Sequence, residues 1–90
     1  MIKESDRQKI IDLAQAYRVR NLLLFGSSLR SDSPCDIDLA VEGLAPEKFF
    51  RFYAELMWNL SLPVDLVDLS RKSRFTDLIQ AEGTLLYESA

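Results

Sequence analysis

The sequence has no histidine, one cysteine, three glycines and three prolines among 90 residues. Without histidine there is neither an imidazole base nor an imidazole metal ligand. A single cysteine cannot form an internal disulfide, which fits a cytoplasmic protein. So little glycine and proline excludes collagen-like or low-complexity character. No apolar run approaches the ~18 residues of a membrane span. The N-terminus carries charge from Lys3 onward, unlike a secretory signal. Basic excess is also missing: 11 Lys and Arg against 14 Asp and Glu leave a net charge of −3. That balance argues against a protein that grips duplex nucleic acid over a broad face. Any metal site must therefore use oxygen donors, which selects Mg²⁺, Mn²⁺ or Ca²⁺ over zinc.

The residues that are present, 48% hydrophobic and 28% charged, have ordinary globular composition. The length implies one domain over 1–90, burying about 60% of the surface its unfolded chain exposes. Ser5, with Gln8 three residues on, has the form of a capping box opening a helix. Ile10, Leu13, Ala14 and Tyr17 then recur at helical spacing. Asn21-Leu-Leu-Leu-Phe25 is a short apolar run that predicts a buried strand, stopped by Gly26-Ser-Ser. Ser28 to Cys35 is polar and predicts a loop. Asp36-Ile-Asp-Leu-Ala-Val41 alternates, sending Ile37, Leu39 and Val41 to one face and Asp36, Asp38 and Ala40 to the other. Pro46 and Glu47 suit the start of a helix of about four turns ending at Leu60. Val64 to Leu69 predicts a third strand and Thr84 to Tyr87 a fourth. Between them Ser73 or Thr76 can cap a short helix that stops at Gly83. The expected fold class is α+β: a mixed sheet of about four strands with helices packed on it.

The chemistry concentrates in a few positions. Asp36 and Asp38 stand two apart on a strand, so their carboxylates leave the same face and repel unless a cation lies between them. Asp65 and Asp68, three apart, face opposite sides. Asp65, near the strand start, is the expected third ligand, and Asp68 a solvated strand end. Gly26 allows a close backbone approach, Ser27 supplies a hydroxyl, and Arg30 is near enough in sequence to add charge against a phosphate. A phosphate-binding Gly-Ser, a strand Asp-x-Asp some ten residues on and a later strand carboxylate together describe a two-metal phosphoryl-transfer site.

The segment Leu24-Phe-Gly-Ser-Ser-Leu-Arg-Ser-Asp-Ser-Pro-Cys-Asp-Ile-Asp-Leu-Ala-Val41 resembles the signature of the minimal nucleotidyltransferases, the smallest members of the polymerase-beta-like superfamily. Val64-Asp-Leu-Val-Asp-Leu69 resembles that family's later strand, and Ile79 to Glu88 its closing helix and strand. The resemblance implies that Gly26 and Ser27 hold a triphosphate and that Asp36, Asp38 and Asp65 bind Mg²⁺ (two ions, with Mn²⁺ as substitute). It also implies that Asp65 acts on an incoming hydroxyl. The implied reaction is transfer of AMP from ATP. The implied acceptor is a tyrosine of a partner HEPN toxin, which this chain would neutralise as its antitoxin. Cys35 stands where the pattern usually has Ser, and Ser31 where Gly commonly follows the loop's Arg. Cys35 and a loop between Gly26 and Asp36 that is shorter than the family's leave room for a second reading, an antitoxin that acts by binding alone. The helix from Glu47 has two apolar stripes: Phe49, Phe52, Tyr53, Leu56, Met57 and Leu60, and beside them Phe50, Ala54 and Trp58. A small domain can bury both, or Phe50 and Trp58 can serve a partner surface. So small a chain needs a partner or a second copy to complete a nucleotide pocket. No membrane contact is expected.

Overall fold

The computed structural model describes residues 2–89. Met1 and Ala90, the outer ends of the predicted 1–90 domain, lie outside the described residues. The chain runs through α1 (Glu4–Ala16), β1 (Asn21–Phe25), α2 (Ser27–Arg30), β2 (Ile37–Glu42), a 3₁₀ turn at Pro46–Lys48, α3 (Phe49–Asn59), β3 (Val64–Asp68), α4 (Arg74–Glu82) and β4 (Thr84–Glu88). The strands form one four-stranded sheet in the order β3-β2-β1-β4. β1 is antiparallel to both β2 and β4, whereas β2 and β3 are parallel. A parallel pair cannot be joined by a tight turn, and α3 supplies the crossover. This is the mixed α+β sheet the sequence predicts.

Period-two alternation divides the sheet between two unequal layers. Leu22, Leu24, Ile37, Leu39, Val41 and Leu66 face Ile10 and Ala14 of α1 and Phe52 and Leu56 of α3, forming the main core. On the other face Leu23, Phe25, Ala40, Val67 and Leu69 pack against α4, whose buried apolar residue there is Ile79. Asp38 and Asp65 lie on this thinly covered face, since Asp38 is the cross-strand neighbour of Phe25 and of Asp65.

Four local expectations change. α1 starts at Glu4 after Lys3, without the Ser5 cap, and Gln8 bonds Asp12 at 3.0 Å instead. Its first turn is held from the inside. Asp6 shares the inward face with Ile10 and Ala14, and its buried carboxylate accepts the backbone N–H and the hydroxyl of Ser61. The predicted loop from Ser28 contains a one-turn helix, α2, too short for periodicity to reveal. The predicted helix from Glu47 begins as the 3₁₀ turn and is helical as α3 only from Phe49 to Asn59. Only one of its stripes is buried, centred on Phe52 and Leu56. Met57, Phe50 and Trp58 are exposed. A helix lying on a sheet beside another helix buries an arc of little more than ~100°, and the second stripe lies beyond that arc.

At α4 both predicted caps operate together. The Ser73 hydroxyl accepts the Thr76 N–H, and the Thr76 hydroxyl accepts the Ser73 N–H. Gly83 ends the helix without a left-handed turn. Its φ is −70°, and a Cβ there would lie 2.7 Å from the Ile79 carbonyl oxygen. Glycine is needed because the backbone leaving α4 passes close to that carbonyl. Among the described residues, no helix is long and apolar enough to cross a membrane.

Candidate active site

The site forms where β1 ends and β2 and β3 begin. The parallel register sets Asp38 of β2 directly beside Asp65 of β3. Neighbours in register project to the same face, so two carboxylates from distant parts of the sequence stand together there. Asp36 immediately precedes β2. With Pro63, Val64 and Asp65 it lines a shallow hollow at the strand starts. Asp38 is half-buried, and Asp36 and Asp65 are exposed.

Burial pushes the Asp38 carboxyl above the usual carboxylate range, and the charges of Asp65 and then Asp36 push it further in the same direction. Hydrogen bonds from the Ser27 N–H and hydroxyl oppose the rise without cancelling it. The site is thus a concentration of negative charge that the protein's own donors leave incompletely compensated.

The turn after β1 is built around Asp38. Gly26 has φ +66°, and a Cβ there would sit 2.5 Å from Asp38 Oδ2. A side chain would therefore meet both backbone strain and the carboxylate. Ser27, expected on a phosphate, directs both its N–H and its hydroxyl to Asp38. Ser28 is fully buried. Its hydroxyl donates to the Phe25 carbonyl at 2.7 Å and accepts the Asp38 N–H at 3.0 Å, tying the end of β1 to the start of β2. The Tyr53 hydroxyl donates to the Val64 carbonyl at 2.9 Å and lies 3.5 Å from Asp65 Oδ1. Sequence reasoning missed both Ser28 and Tyr53. The repeated serine after Gly26 was the available signal for the first. Tyr53 had none, because only the crossover brings it to β3.

Arg30, the third expected phosphate contact, lies apart from the carboxylates. Its guanidinium pairs with Glu82 of α4 at 2.8 Å. Asp68 accepts the Ser70 N–H at 2.9 Å, closing a turn at the far end of β3, and plays no part in the site. Cys35 is free and exposed.

Among the described residues, no group of three acidic or cysteine side chains is placed to hold a metal ion. Mg²⁺ does not require one, since it typically takes one or two carboxylates and completes its shell with water and substrate phosphate. The side-by-side Asp38 and Asp65, the raised Asp38 carboxyl and the bare Gly26 turn fit such an ion. Asp38 and Asp65 are the pair that would hold it, with Asp36 beside them at the strand starts.

Comparison with known proteins agrees with this geometry. A family model described as "Polymerase beta, Nucleotidyltransferase" matches residues 8–90. A mutant MntA toxin–antitoxin complex superposes with a TM-score of 0.75 at 26% identity, covering 92% of this chain and 73% of that one. A toxin–antitoxin structure with AMP-PNP gives 0.73 at 27% identity, covering 92% and 73%. An MNT antitoxin bound to the tri-AMPylated HEPN toxin of Shewanella oneidensis gives 0.68 at 30% identity, covering 93% and 71%. Among curated proteins no significant match is found. With a family model spanning nearly its whole length and a matching fold, this chain belongs to the polymerase beta nucleotidyltransferase family and is similar within it to the MNT antitoxins that pair with HEPN toxins.

Proposed function

We propose that this chain is an antitoxin nucleotidyltransferase that transfers AMP from ATP, with Mg²⁺, to a tyrosine hydroxyl of a HEPN-type partner. One observation carries the reading. The fold pairs Asp38 with Asp65 across β2 and β3, sets Asp36 two residues before Asp38, and presses a side-chain-free turn at Gly26 against the Asp38 carboxylate. A sheet without such a purpose has no reason to gather like charges on one edge. The AMPylated HEPN toxin seen with a related antitoxin supports AMP transfer to a partner protein.

In this reading the acceptor oxygen attacks the α-phosphorus of ATP. A new P–O bond forms, the bond to the β-phosphate oxygen breaks, and pyrophosphate leaves. Bound Mg²⁺ supplies neutralisation of phosphate charge and acidification of a coordinated hydroxyl. Asp65, exposed beside Asp38, accepts or orients the proton of the acceptor hydroxyl, since the sequence has no imidazole for that task. Ser27 and Ser28 fix Asp38, one at its carboxylate and one at its backbone, so the carboxyl is held before substrate arrives. Gly26 leaves room at Asp38 for the triphosphate to approach.

A second reading, neutralisation by binding alone, draws on a different observation. α3 exposes Trp58 at 88% and Phe50 at 80%. Large aromatics in the open are the residues favoured at interface centres. The two readings separate by experiment. In melts with Mg²⁺ and each of the four nucleoside triphosphates, ATP is expected to stabilise the wild type and not Asp36→Asn/Asp38→Asn. A ligand at 100 times its Kd adds about 2.7 kcal/mol, and each kcal/mol is worth roughly 4–8 °C for a domain of this size. Label from the α-phosphate of ATP should then appear on the co-expressed partner. Neutralisation of the partner by Asp38→Asn as complete as by wild type would leave binding alone as the function.

A further inference from the structure

The proposed reaction needs an acceptor hydroxyl beside Asp65, and the chain already holds a hydroxyl of the required kind there. Tyr53, on the crossover helix α3, reaches the sheet edge at β3, where its hydroxyl oxygen lies 3.5 Å from Asp65 Oδ1. The hydroxyl donates to the Val64 carbonyl at 2.9 Å, and a hydroxyl hydrogen turns from one acceptor to another without movement of the ring. Val64 and Asp65, the two residues it touches, also line the hollow of about 180 Å³ at the strand starts, together with Asp36 and Pro63. The ring is half-buried and lies edge to face with Phe49 at 6.2 Å between centroids, which fixes where the hydroxyl points. β3 is the outermost strand and Asp65 is exposed, so a substrate reaches the pair from solvent. The other two tyrosines stand elsewhere. The Tyr17 hydroxyl donates to Glu55 between α1 and α3, and Tyr87 belongs to β4, at the opposite edge of the sheet.

We propose that Tyr53 is a self-acceptor, to which the chain transfers AMP in the absence of its partner. This rests on the reading of the carboxylates as an AMP-transfer site. The Tyr53 oxygen attacks the α-phosphorus of ATP and its proton passes to Asp65. A P–O bond forms to the phenol, the bond from the α-phosphorus to the bridging oxygen breaks, and pyrophosphate leaves. ATP is the only co-reactant consumed. An acceptor carried on the same chain as the base need not be captured from solution, which is the advantage of an intramolecular reaction. A tyrosine of the partner must come to the same carboxylate, so the two acceptors compete for Asp65. Once attached, the AMP on Tyr53 stands beside Asp65 and obstructs further transfer, so an antitoxin without its partner switches itself off.

The test incubates the purified full chain, without partner, with Mg²⁺ and ATP, and reads the masses of its tryptic peptides. One adenylyl group is expected on peptide 52–71, in which Tyr53 is the sole tyrosine. Tyr53→Phe should lose this label, whereas Tyr17→Phe and Tyr87→Phe should keep it. Fragmentation of the wild-type peptide separates Tyr53 from Ser61 and Ser70, which keeps the assignment testable if Tyr53→Phe does not fold. Chain modified in advance should label the purified partner more slowly than fresh chain. A further readout needs no turnover. With Mg²⁺, α,β-methylene-ATP, whose α–β bridge resists cleavage, should shift the ring resonances of Tyr53 and leave those of Tyr17 and Tyr87 in place. Peptide 52–71 left unlabelled by a chain that does label the partner overturns the self-acceptor alone. So does a label carried by Ser61 or Ser70, or bound analogue that leaves the Tyr53 ring unmoved. A chain that labels neither itself nor the partner overturns the transfer reading and this inference with it.

Discussion

Asp38 is the residue on which folding and function make opposite demands. Its carboxyl is raised by burial first and by the charges of Asp65 and Asp36 next. A group whose pKa is higher in the folded than in the unfolded state stabilises the fold below its unfolded value, about 3.9 for Asp. That contribution is lost as pH rises through the folded value. At neutral pH without metal, the ionised Asp38 therefore works against the fold. Asp38→Asn keeps an acceptor oxygen for Ser27 and removes the charge. It should melt higher than wild type at pH 7 in chelator, and the advantage should vanish below about pH 4, where the wild-type carboxyl is itself neutral. Mg²⁺ should raise the wild-type midpoint and not that of the variant. Scanning calorimetry across pH checks this, and an Asn variant that melts below wild type at pH 7 in chelator would contradict the clustering. The carboxylates themselves were legible from spacing, because Asp is a poor strand former and two in one short strand ask for a cause. Their compensation by Ser27 and Ser28 was not, since it depends on a turn whose geometry no pattern of residue types encodes. Buried Asp6 was equally hidden, because an acidic residue in a first helical turn looks solvated until Ser61 arrives from the other side of the molecule.

At the scale of elements, the strands were the most legible. Apolar runs bounded by glycine and proline mark β1, β2 and β3 closely, and their alternation assigns both faces. Helix ends were less so. The Ser5 cap failed because α1 is anchored through Asp6, whereas the Ser73 cap holds because α4 has no comparable tether. α4 covers the face that carries Asp38 and Asp65, and Ile79 is its buried apolar anchor there, with the half-exposed Phe75 against Phe25. Its capping box should accordingly matter more than an average cap. Ser73→Ala is expected to cost about 1 kcal/mol, a fall of roughly 4–8 °C in midpoint. Amide exchange should accelerate along Arg74–Glu82 well before it does in α1 or α3, because the main core lies on the opposite side of the sheet. Exchange rising uniformly over the whole chain would show instead that the two layers open together.

For the molecule as a whole, the sheet separates two surfaces. Asp38 and Asp65 look out on the α4 side, and α3 with its exposed Phe50 and Trp58 packs on the other. The sequence showed both surfaces as patterns but could not place them back to back, since that follows from the parallel register of β2 and β3. Trp58 is almost wholly exposed, so its removal takes little from the core, and surface changes of this kind usually stay within about 0.5 kcal/mol. As part of an interface centre it would count for far more, since truncating such an anchor commonly costs about 2 kcal/mol or more, roughly thirty-fold in affinity. Trp58→Ala should therefore keep the wild-type melting temperature and the full ATP-dependent stabilisation while losing capture of the HEPN-type partner. Asp38→Asn should do the reverse, retaining capture while losing nucleotide. Surface plasmon resonance against the purified partner, run beside the nucleotide melts, measures both. If Trp58→Ala holds the partner as tightly as wild type, then α3 is not the docking face, and the partner must approach across the α4 side, where it would compete with ATP for the open half of the sheet.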